Sequence, residues 1–257
     1  MTFLRRRYSK DNWAYLLAEG ADAALVDPGD AAAGLWLAER AEAAGARVRA
    51  ILHTHGHFDH TDGSAALRAR LGVPVCGHGA DAAWFAPDRD LAGERALHLG
   101  ALALEVIPAP GHTPGSVLFR CGGRLLTGDT LFRGGSGNCK HGGDSRALAR
   151  TFLGVLAGLD GALELHPGHD YAEVNLPFVL ALEPGNAEAR AALDEARAAH
   201  ARGEDPPAGT LARERAANPF LRAGDPAVSA ALAGRVEPAP PPGEETFLAL
   251  RRLKDAW

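Results

Sequence analysis

The stretch LHTHGHFDHTDG, residues 52–63, places four histidines and an aspartate in the eight positions from His53 to His60. Imidazole nitrogen and carboxylate oxygen are ligands that Zn²⁺ and similar divalent cations accept together in proteins. A hydrophobic core is a poor place for such a group, because each buried imidazole needs a hydrogen-bond partner. The stretch therefore predicts a metal site.

The spacing of these residues narrows the choice of ligands. The preceding RVRAIL predicts a buried strand, and while that strand continues His53, His55 and His57 all project to one side, so spacing alone leaves all three eligible. The pattern H-x-H-x-D-H fits His55, His57, Asp59 and His60 without a gap and leaves His53 outside. One ion would have more ligands than it needs, so we expect two divalent ions. Zn²⁺ is the favoured metal, with Fe²⁺ and Mn²⁺ as alternatives.

A binuclear site needs further ligands from other strand ends, where α/β sheets gather their functional loops. Three stretches qualify: PAPGHTPGS with His112, LLTGDTLF with Asp129, and LHPGHDY with His169. Each signal alone is weak, since a strand-ending aspartate or a Gly-His loop is usually turn chemistry. A lone histidine is more often a hydrogen-bonded residue than a ligand. That interpretation is kept for His53, His78, His98, His166 and His200.

The elements that must position these ligands follow from the hydrophobic pattern. From Tyr15 to about Leu165, short apolar runs alternate with helical patterns and Gly/Pro punctuation, which predicts an α/β domain. Helices are predicted at residues 31–44, 63–71 and 145–159. Beyond Tyr171 the sequence becomes Ala-rich with mixed charges, and TFLALRRLKDAW predicts a final helix. We therefore expect a helical segment after the α/β domain.

The composition excludes several classes of protein. The chain of 257 residues has a net charge of −5 and no basic footprint for nucleic acid. It has no signal-peptide h-region and no run of about 18 apolar residues, so we expect neither secretion nor membrane spanning. Three scattered cysteines favour neither a disulfide scaffold nor a thiolate zinc site, and the cytoplasm is the simplest location. We expect a monomer or a small homo-oligomer.

Taken together, the candidate ligands resemble the pattern of the metallo-β-lactamase superfamily: H-x-H-x-D-H, a single His, a bridging Asp and a final His. Within this superfamily the chain resembles the hydroxyacylglutathione hydrolases, or glyoxalase II. The stretches that carry the resemblance are DNWAYLL, LVDPGD, THGHFDHTDG, GDTLF, GHDYAEVNLPFVLALEPGN, NPFLR and RRLKD. The resemblance implies that residues 1–172 form the catalytic domain, with an α/β fold of the αββα sandwich type. It also implies a helical substrate-binding domain in residues 173–257.

The resemblance also implies how the ligands are shared. One ion would be held by His55, His57 and His112, the other by Asp59, His60 and His169, with Asp129 as the bridge. A water shared by two ions would lose its proton near neutral pH and attack the substrate carbonyl, while the ions stabilise the oxyanion. Asp59 would also be catalytic, because it could orient the hydroxide.

Substrate contacts are implied by the C-terminal half of the resemblance. Arg251 and Lys254 in RRLKD match positions that bind the glycine carboxylate of glutathione, and their spacing places them on one helix face. Tyr171 matches a tyrosine that contacts glutathione. The loop RGGSGNCKHGGD departs from the family's GCGR or GCGK turn, with Ser136 in place of the cysteine and Asn138 in place of the basic residue. Lys140 would supply the missing charge for a small-molecule glutathione thioester.

Several activities fit this resemblance. The predicted one is hydrolysis of S-2-hydroxyacylglutathione, typically S-D-lactoylglutathione, to glutathione and a 2-hydroxy acid such as D-lactate. The runner-up is a persulfide dioxygenase with one iron, which resembles the chain mainly in its front domain and generally lacks the tail from NPFLR to RRLKD. A lactonase leaves RRLKD unexplained, and a non-enzymatic binding member usually loses several ligands. The complete ligand pattern and the tail therefore favour thioester hydrolysis.

Overall fold

The computed structural model describes residues 1–257, which pack into two compact units. The first unit comprises Met1–Pro108, Thr113–Asp129 and Pro167–His169. The second comprises Ala109–His112, Thr130–His166 and Asp170–Trp257. The chain therefore passes from one unit to the other several times. None of its helices combines the length and the apolar character that a membrane crossing requires.

The first sheet of the first unit has six strands side by side in chain order. They are β1 (Thr2–Tyr8), β2 (Asn12–Glu19), β3 (Asp22–Val26), β4 (Arg47–Leu52), β5 (Val75–Gly77) and β6 (Arg89–Asp90). Strands β1 to β3 are antiparallel, and β3 to β6 are parallel. Because β4 ends at Leu52, the histidine-rich stretch begins where the predicted strand stops.

The second sheet of this unit is an antiparallel array of β7 (Ala96–Leu99), β8 (Leu102–Pro108), β9 (Val117–Cys121) and β10 (Arg124–Gly128). Alternate residues of the two sheets point inward and form one apolar cluster, which includes Trp13, Tyr15, Leu104 and Phe119. The other face of the first sheet packs on α1 (Ala31–Ala43) and α3 (Ser64–Leu71), with a short α2 (Phe58–Thr61) between them in sequence. This sandwich fixes the strand ends that carry the ligands.

The second unit is mainly helical. Its elements are the hairpin β11 (Leu131–Phe132) and β12 (Gly135–Ser136), α4 (Ser145–Arg150), β13 (Glu164–Pro167, whose last residue belongs to the first unit), α5 (Ala172–Leu182), α6 (Ala187–Ala201), α7 (Leu211–Ala217), α8 (Pro226–Ala231) and α9 (Glu244–Asp255). Asn186 caps α6 by accepting a hydrogen bond from the Ala189 amide. Leu176 of α5, Leu193 of α6 and Ala217 of α7 belong to one apolar cluster.

The helix predicted at residues 145–159 is regular only in its first half. After α4 the chain continues as a π-helical stretch, Thr151–Val155, and a 3₁₀ turn, Leu156–Gly158. Gly154 and Gly158 lie in this part, and glycine lowers the intrinsic stability of a helix. Leu148, Phe152 and Leu156 of this segment are nevertheless buried.

Candidate metal centre

Four of the predicted ligands converge in the first unit. The Nε2 atoms of His60 and His169 are 3.2 Å apart. The Oδ2 atom of Asp59 lies 3.2 Å from Nε2 of His169 and 3.6 Å from Nε2 of His60. The two carboxylate oxygens of Asp129 each lie 3.4 Å from one of these nitrogens. The four side chains therefore surround one small volume.

The separations in this cluster suit a divalent cation. Tetrahedral bonds of about 2.0 to 2.2 Å place neighbouring ligand atoms about 3.3 to 3.6 Å from one another. The observed separations run from 3.2 to 3.6 Å. Two imidazoles and two carboxylates are also the donor chemistry that Zn²⁺, Fe²⁺ and Mn²⁺ accept. The residues present therefore fit a metal ion, both in geometry and in chemistry.

Two glycines allow the ligands to approach so closely. A Cβ atom on Gly168 would lie 2.2 Å from Oδ1 of Asp129 and 2.7 Å from Cε1 of His60. A Cβ atom on Gly29 would lie 1.9 Å from the carbonyl oxygen of Asp59. All three distances are far shorter than van der Waals contact. Gly168 in PGHD and Gly29 in LVDPGD are therefore required, because only a hydrogen atom fits in place of the side chain.

Two carboxylates outside the cluster orient its imidazoles. Oδ1 of Asp11 accepts a hydrogen bond of 2.8 Å from Nδ1 of His169, which leaves the lone pair of the neutral ring on Nε2. Oδ2 of Asp27 lies 3.4 Å from Nδ1 of His60. Asp27 is itself fixed by hydrogen bonds from the amide and hydroxyl of Thr54. Both rings are thus turned so that Nε2 faces the cluster.

The turn that carries Asp59 is held by two residues of the first two strands. Nδ2 of Asn12 donates a 3.0 Å hydrogen bond to Oδ2 of Asp59. The hydroxyl of Tyr8 donates to the carbonyl oxygen of Asp59 over 2.6 Å. Asp59 is consequently fixed through both its backbone and its side chain.

The electrostatics of the cluster show how strongly it attracts positive charge. Burial alone would lower the pKa of His60, but the carboxylates of Asp129 and Asp27 raise it to about 10. Burial also opposes protonation of His169, yet the carboxylates of Asp129, Asp59 and Asp11 raise its pKa to about 11. Burial would raise the pKa of Asp59, whereas its hydrogen bond with His169 and the charge of His60 hold it well below the usual range. A bound cation would take the place of these protons, so metal affinity should rise with pH.

The remaining two ligands of the H-x-H-x-D-H pattern lie beside this cluster in the same unit. The His55 and His57 rings meet edge to face with centroids 4.8 Å apart, and the His55 ring is 4.3 Å from that of His60. Nδ1 of His55 lies 3.1 Å from the Thr54 hydroxyl. His57 packs edge to face against Trp84. The structure therefore gathers both predicted imidazoles next to His60.

The seventh predicted ligand, His112, belongs to the second unit. It is buried, and its Nδ1 lies 2.7 Å from the carbonyl oxygen of Asn138. A carbonyl only accepts, so Nδ1 carries the proton and the lone pair of the neutral ring is on Nε2. The imidazole of His112 is therefore in the tautomer that binds a metal through Nε2.

The four predicted substrate contacts all lie in the second unit. The Tyr171 ring packs edge to face against Phe132. Nζ of Lys254 donates to the carbonyl oxygen of Val174 over 2.9 Å. Lys140 is well exposed, with its Nζ 3.7 Å from Oδ1 of Asp255. Arg251, in contrast, is 6% exposed and donates to backbone carbonyls.

Sequence reasoning missed the residues that orient the ligands: Tyr8, Asn12, Asp11 and Asp27. Asp11 and Asp27 lie in DNWAYLL and LVDPGD, but an aspartate before a turn is ordinarily turn chemistry. The one distinctive feature of Asp27 is its φ of 49°, a left-handed conformation that most side chains avoid. Such strain is visible only in the folded chain.

Comparisons with known proteins agree with this picture. Residues 10–176 match the metallo-beta-lactamase superfamily, and residues 170–257 match the hydroxyacylglutathione hydrolase C-terminus. A hydroxyacylglutathione hydrolase of Anaeromyxobacter dehalogenans (strain 2CP-C) is 61% identical over 257 residues, 99% of each chain. The predicted α/β fold class is thereby confirmed.

Solved structures show the same architecture. ETHE1 from Myxococcus xanthus is similar over 100% of this chain and 99% of its own, with a TM-score of 0.67 and 21% identity, which concerns the fold alone. TTHA1623 in a di-iron-bound form is 27% identical, with a TM-score of 0.61, over 86% of this chain and 100% of its own.

Proposed function

Because the chain belongs to the hydroxyacylglutathione hydrolase, or glyoxalase II, family of the metallo-β-lactamase superfamily, we propose that it hydrolyses S-2-hydroxyacylglutathione thioesters. The typical substrate is S-D-lactoylglutathione, and the products are glutathione and the 2-hydroxy acid. One observation supports metal-dependent hydrolysis in particular. The ligand atoms of Asp59, His60, Asp129 and His169 converge, with separations of 3.2 to 3.6 Å between them. The family supplies the substrate class.

The proposed cofactors are two divalent ions, Zn²⁺ in the first place, with Fe²⁺ or Mn²⁺ as alternatives. The proposed ligands are His55, His57 and His112 for one ion, Asp59, His60 and His169 for the other, and Asp129 for both. The oriented Nε2 atoms support this assignment. The related TTHA1623, which was crystallised with two irons, supports the number of ions.

Two bound divalent ions supply Lewis acidity, which lowers the pKa of water at the site and stabilises the oxyanion of the attacked thioester. Asp59 would orient the attacking water through its carboxylate, which accepts a hydrogen bond from Asn12, while Tyr8 holds the backbone carbonyl of Asp59. A thiolate leaves readily at neutral pH, so the reaction needs no separate general acid. The chain's own contribution is therefore orientation of ligands and of water.

The proposed contacts to the substrate tail are cationic and aromatic. Lys254 would bind the glycine carboxylate of glutathione, Lys140 would supply the positive charge missing from the altered loop, and Tyr171 would contact glutathione. Burial lowers the pKa of Lys254 to about 8, so this ammonium group stays largely charged at neutral pH. Arg251 was predicted to contact the same carboxylate. Its two terminal nitrogens, Nη1 and Nη2, already have acceptors within the second unit.

The proposed partner is thus a small anionic thioester rather than nucleic acid or a membrane, and the protein would act as a monomer or small homo-oligomer. A reducing cytoplasm suits this proposal, because glutathione is a thiol and Cys76, Cys121 and Cys139 are unbonded.

The direct test is hydrolysis of S-D-lactoylglutathione by the purified protein, compared with oxygen uptake on glutathione persulfide. We expect chelator-sensitive hydrolysis and no oxygen uptake. A Lys254→Met variant should raise KM about tenfold with little change in kcat, because one charge contact with the substrate is worth about 1.4 kcal/mol. The exposed Lys10→Met variant removes the same charge as a control. Oxygen uptake without thioester hydrolysis would instead establish the dioxygenase activity.

A further inference from the structure

Arg251 is committed to a loop of its own unit. The loop is residues 136–140, called the SGNCK loop below. Nη1 of Arg251 donates to the carbonyl oxygen of Ser136 at 2.8 Å, to its hydroxyl at 3.1 Å and to the carbonyl oxygen of Gly137 at 3.2 Å. Nη2 donates to Oδ1 of Asp255 at 3.0 Å. The two terminal nitrogens of this buried side chain therefore contact both the loop and the end of α9.

The same loop holds the imidazole of His112. The next carbonyl along the SGNCK loop, that of Asn138, accepts the 2.7 Å hydrogen bond from Nδ1 of His112. The thiol of Cys139 donates to the carbonyl oxygen of Gly111 at 3.2 Å. The carbonyls of two consecutive residues, Gly137 and Asn138, therefore connect the Arg251 guanidinium to the His112 ring.

The segment that follows the loop leaves little freedom for independent movement. A Cβ atom on Gly143 would lie 2.4 Å from the carbonyl oxygens of both Gly111 and His112. The amide of Asp144 donates to the Gly111 carbonyl oxygen at 2.8 Å. A displacement of the loop should therefore be transmitted to the His112 backbone as well as to its ring.

We propose that Arg251 is a positioning residue for His112: by clamping the carbonyls of Ser136 and Gly137, it aims the Asn138 carbonyl at Nδ1 and so fixes the metal-binding Nε2. The consequence for hydrolysis rests on the proposed function, but the consequence for metal binding does not. Hydrogen-bond partners that orient a ligating histidine typically change metal affinity about 10- to 100-fold. Ser136, where the family carries cysteine, is in this chain an acceptor for the clamp.

The test is a titration of the metal-free protein with Zn²⁺, following each bound equivalent, for the wild type and for Arg251→Ala and Arg251→Lys. We expect Arg251→Ala to weaken one equivalent about tenfold or more and to leave the other unchanged. Arg251→Lys keeps one cationic donor and should recover part of the loss. Arg252→Ala, which removes an exposed cation from the same helix, is the matched control and should bind as the wild type does.

A double-mutant cycle separates positioning from general destabilisation. If Arg251 acts through His112, the Arg251→Ala, His112→Ala double variant should bind Zn²⁺ no more weakly than His112→Ala alone. Additive losses, or equal losses at both equivalents that follow the drop in Tm, would overturn the proposal. Unchanged Zn²⁺ binding in Arg251→Lys and Arg251→Ala with a raised KM would make Arg251 a substrate contact instead. If the wild type binds Zn²⁺ as expected but hydrolyses no thioester, only the proposed function fails.

Discussion

The two units of the protein orient the imidazoles proposed as metal ligands in different ways. In the first unit, a carboxylate lies against Nδ1 of each ring: Asp11 accepts a hydrogen bond from His169, and Oδ2 of Asp27 lies 3.4 Å from Nδ1 of His60. In the second unit, His112 is directed by a backbone carbonyl, that of Asn138. Both kinds of acceptor fix the tautomer and direction of the ring, but only the carboxylate adds a full negative charge near the ion.

This difference determines which substitutions should disturb the orientation of the histidine in each unit. Orientation by a side chain can be removed by one substitution at the orienting residue itself, as at Asp11. Orientation by a carbonyl depends on the conformation of a whole loop, and therefore on distant residues that hold the loop. The predictions below test this contrast, beginning with the substitution that should remove a ligand altogether.

Asp129→Ala should have the largest effect on the first unit. Its carboxylate faces the Nε2 atoms of both His60 and His169, so its loss removes a ligand and the main charge that raises both pKa values. We expect kcat for thioester hydrolysis to fall at least about a thousandfold, because metal activation is worth several kcal/mol. Metal analysis on the same sample should show less than the wild-type content. Full metal content together with wild-type kcat would remove Asp129 from the ligand set.

Asp11→Asn should have an intermediate effect. The amide keeps the shape of the side chain and can still accept the proton of Nδ1, but it withdraws the negative charge that strengthens His169 as a ligand. We expect Zn²⁺ to bind about 10-fold more weakly, measured by competition with a chelator. Asp62→Asn, at an exposed aspartate close to the ligands in sequence, is the control. Equal affinity in the two variants would contradict the role given to Asp11.

Glu214→Gln should affect the free energy of unfolding more than activity. It tests the second unit, where a loop rather than a side chain orients the histidine. The Glu214 carboxylate accepts hydrogen bonds from the amide of Gly134 and from Asn218, which donates in turn to the Gly135 carbonyl. Burial raises its pKa to about 7. Below the ordinary glutamate pKa the carboxyl group is neutral in both the folded and the unfolded chain. In that range its titration does not reduce the free energy of unfolding.

As the pH rises from about 4.5 to about 7, the unfolded chain loses a proton that folded Glu214 retains. The wild-type free energy of unfolding should therefore fall by roughly 3 kcal/mol relative to that of Glu214→Gln over this window. Denaturant unfolding of both proteins in chelator would measure the difference, with the exposed Glu39→Gln variant as control. Parallel pH profiles for wild type and Glu214→Gln would show that Glu214 is ionised when folded.

The sequence was most informative about site residues that are close together in the chain or that directly follow a predicted strand. His55, His57, Asp59 and His60 are contiguous, and Asp129 follows directly on a strand, so periodicity and strand ends were enough to single them out. Arg251 and Ser136 meet across 115 residues of sequence, and no local pattern encodes that contact. The same holds for Asp11 and His169, which lie 158 residues apart. The resemblance to a family suggested Arg251 as a contact for the glycine carboxylate of glutathione, whereas only the fold shows that its side chain is buried.

The most direct test of the central claim is a stepwise Zn²⁺ titration of metal-free wild-type protein in which bound metal and hydrolysis of S-D-lactoylglutathione are measured at each step. Two ions held by two differently oriented ligand groups should bind as two equivalents per chain, and full activity should require both. Full thioester hydrolysis in the metal-free protein, or with a single tightly bound equivalent and no second, would contradict the account.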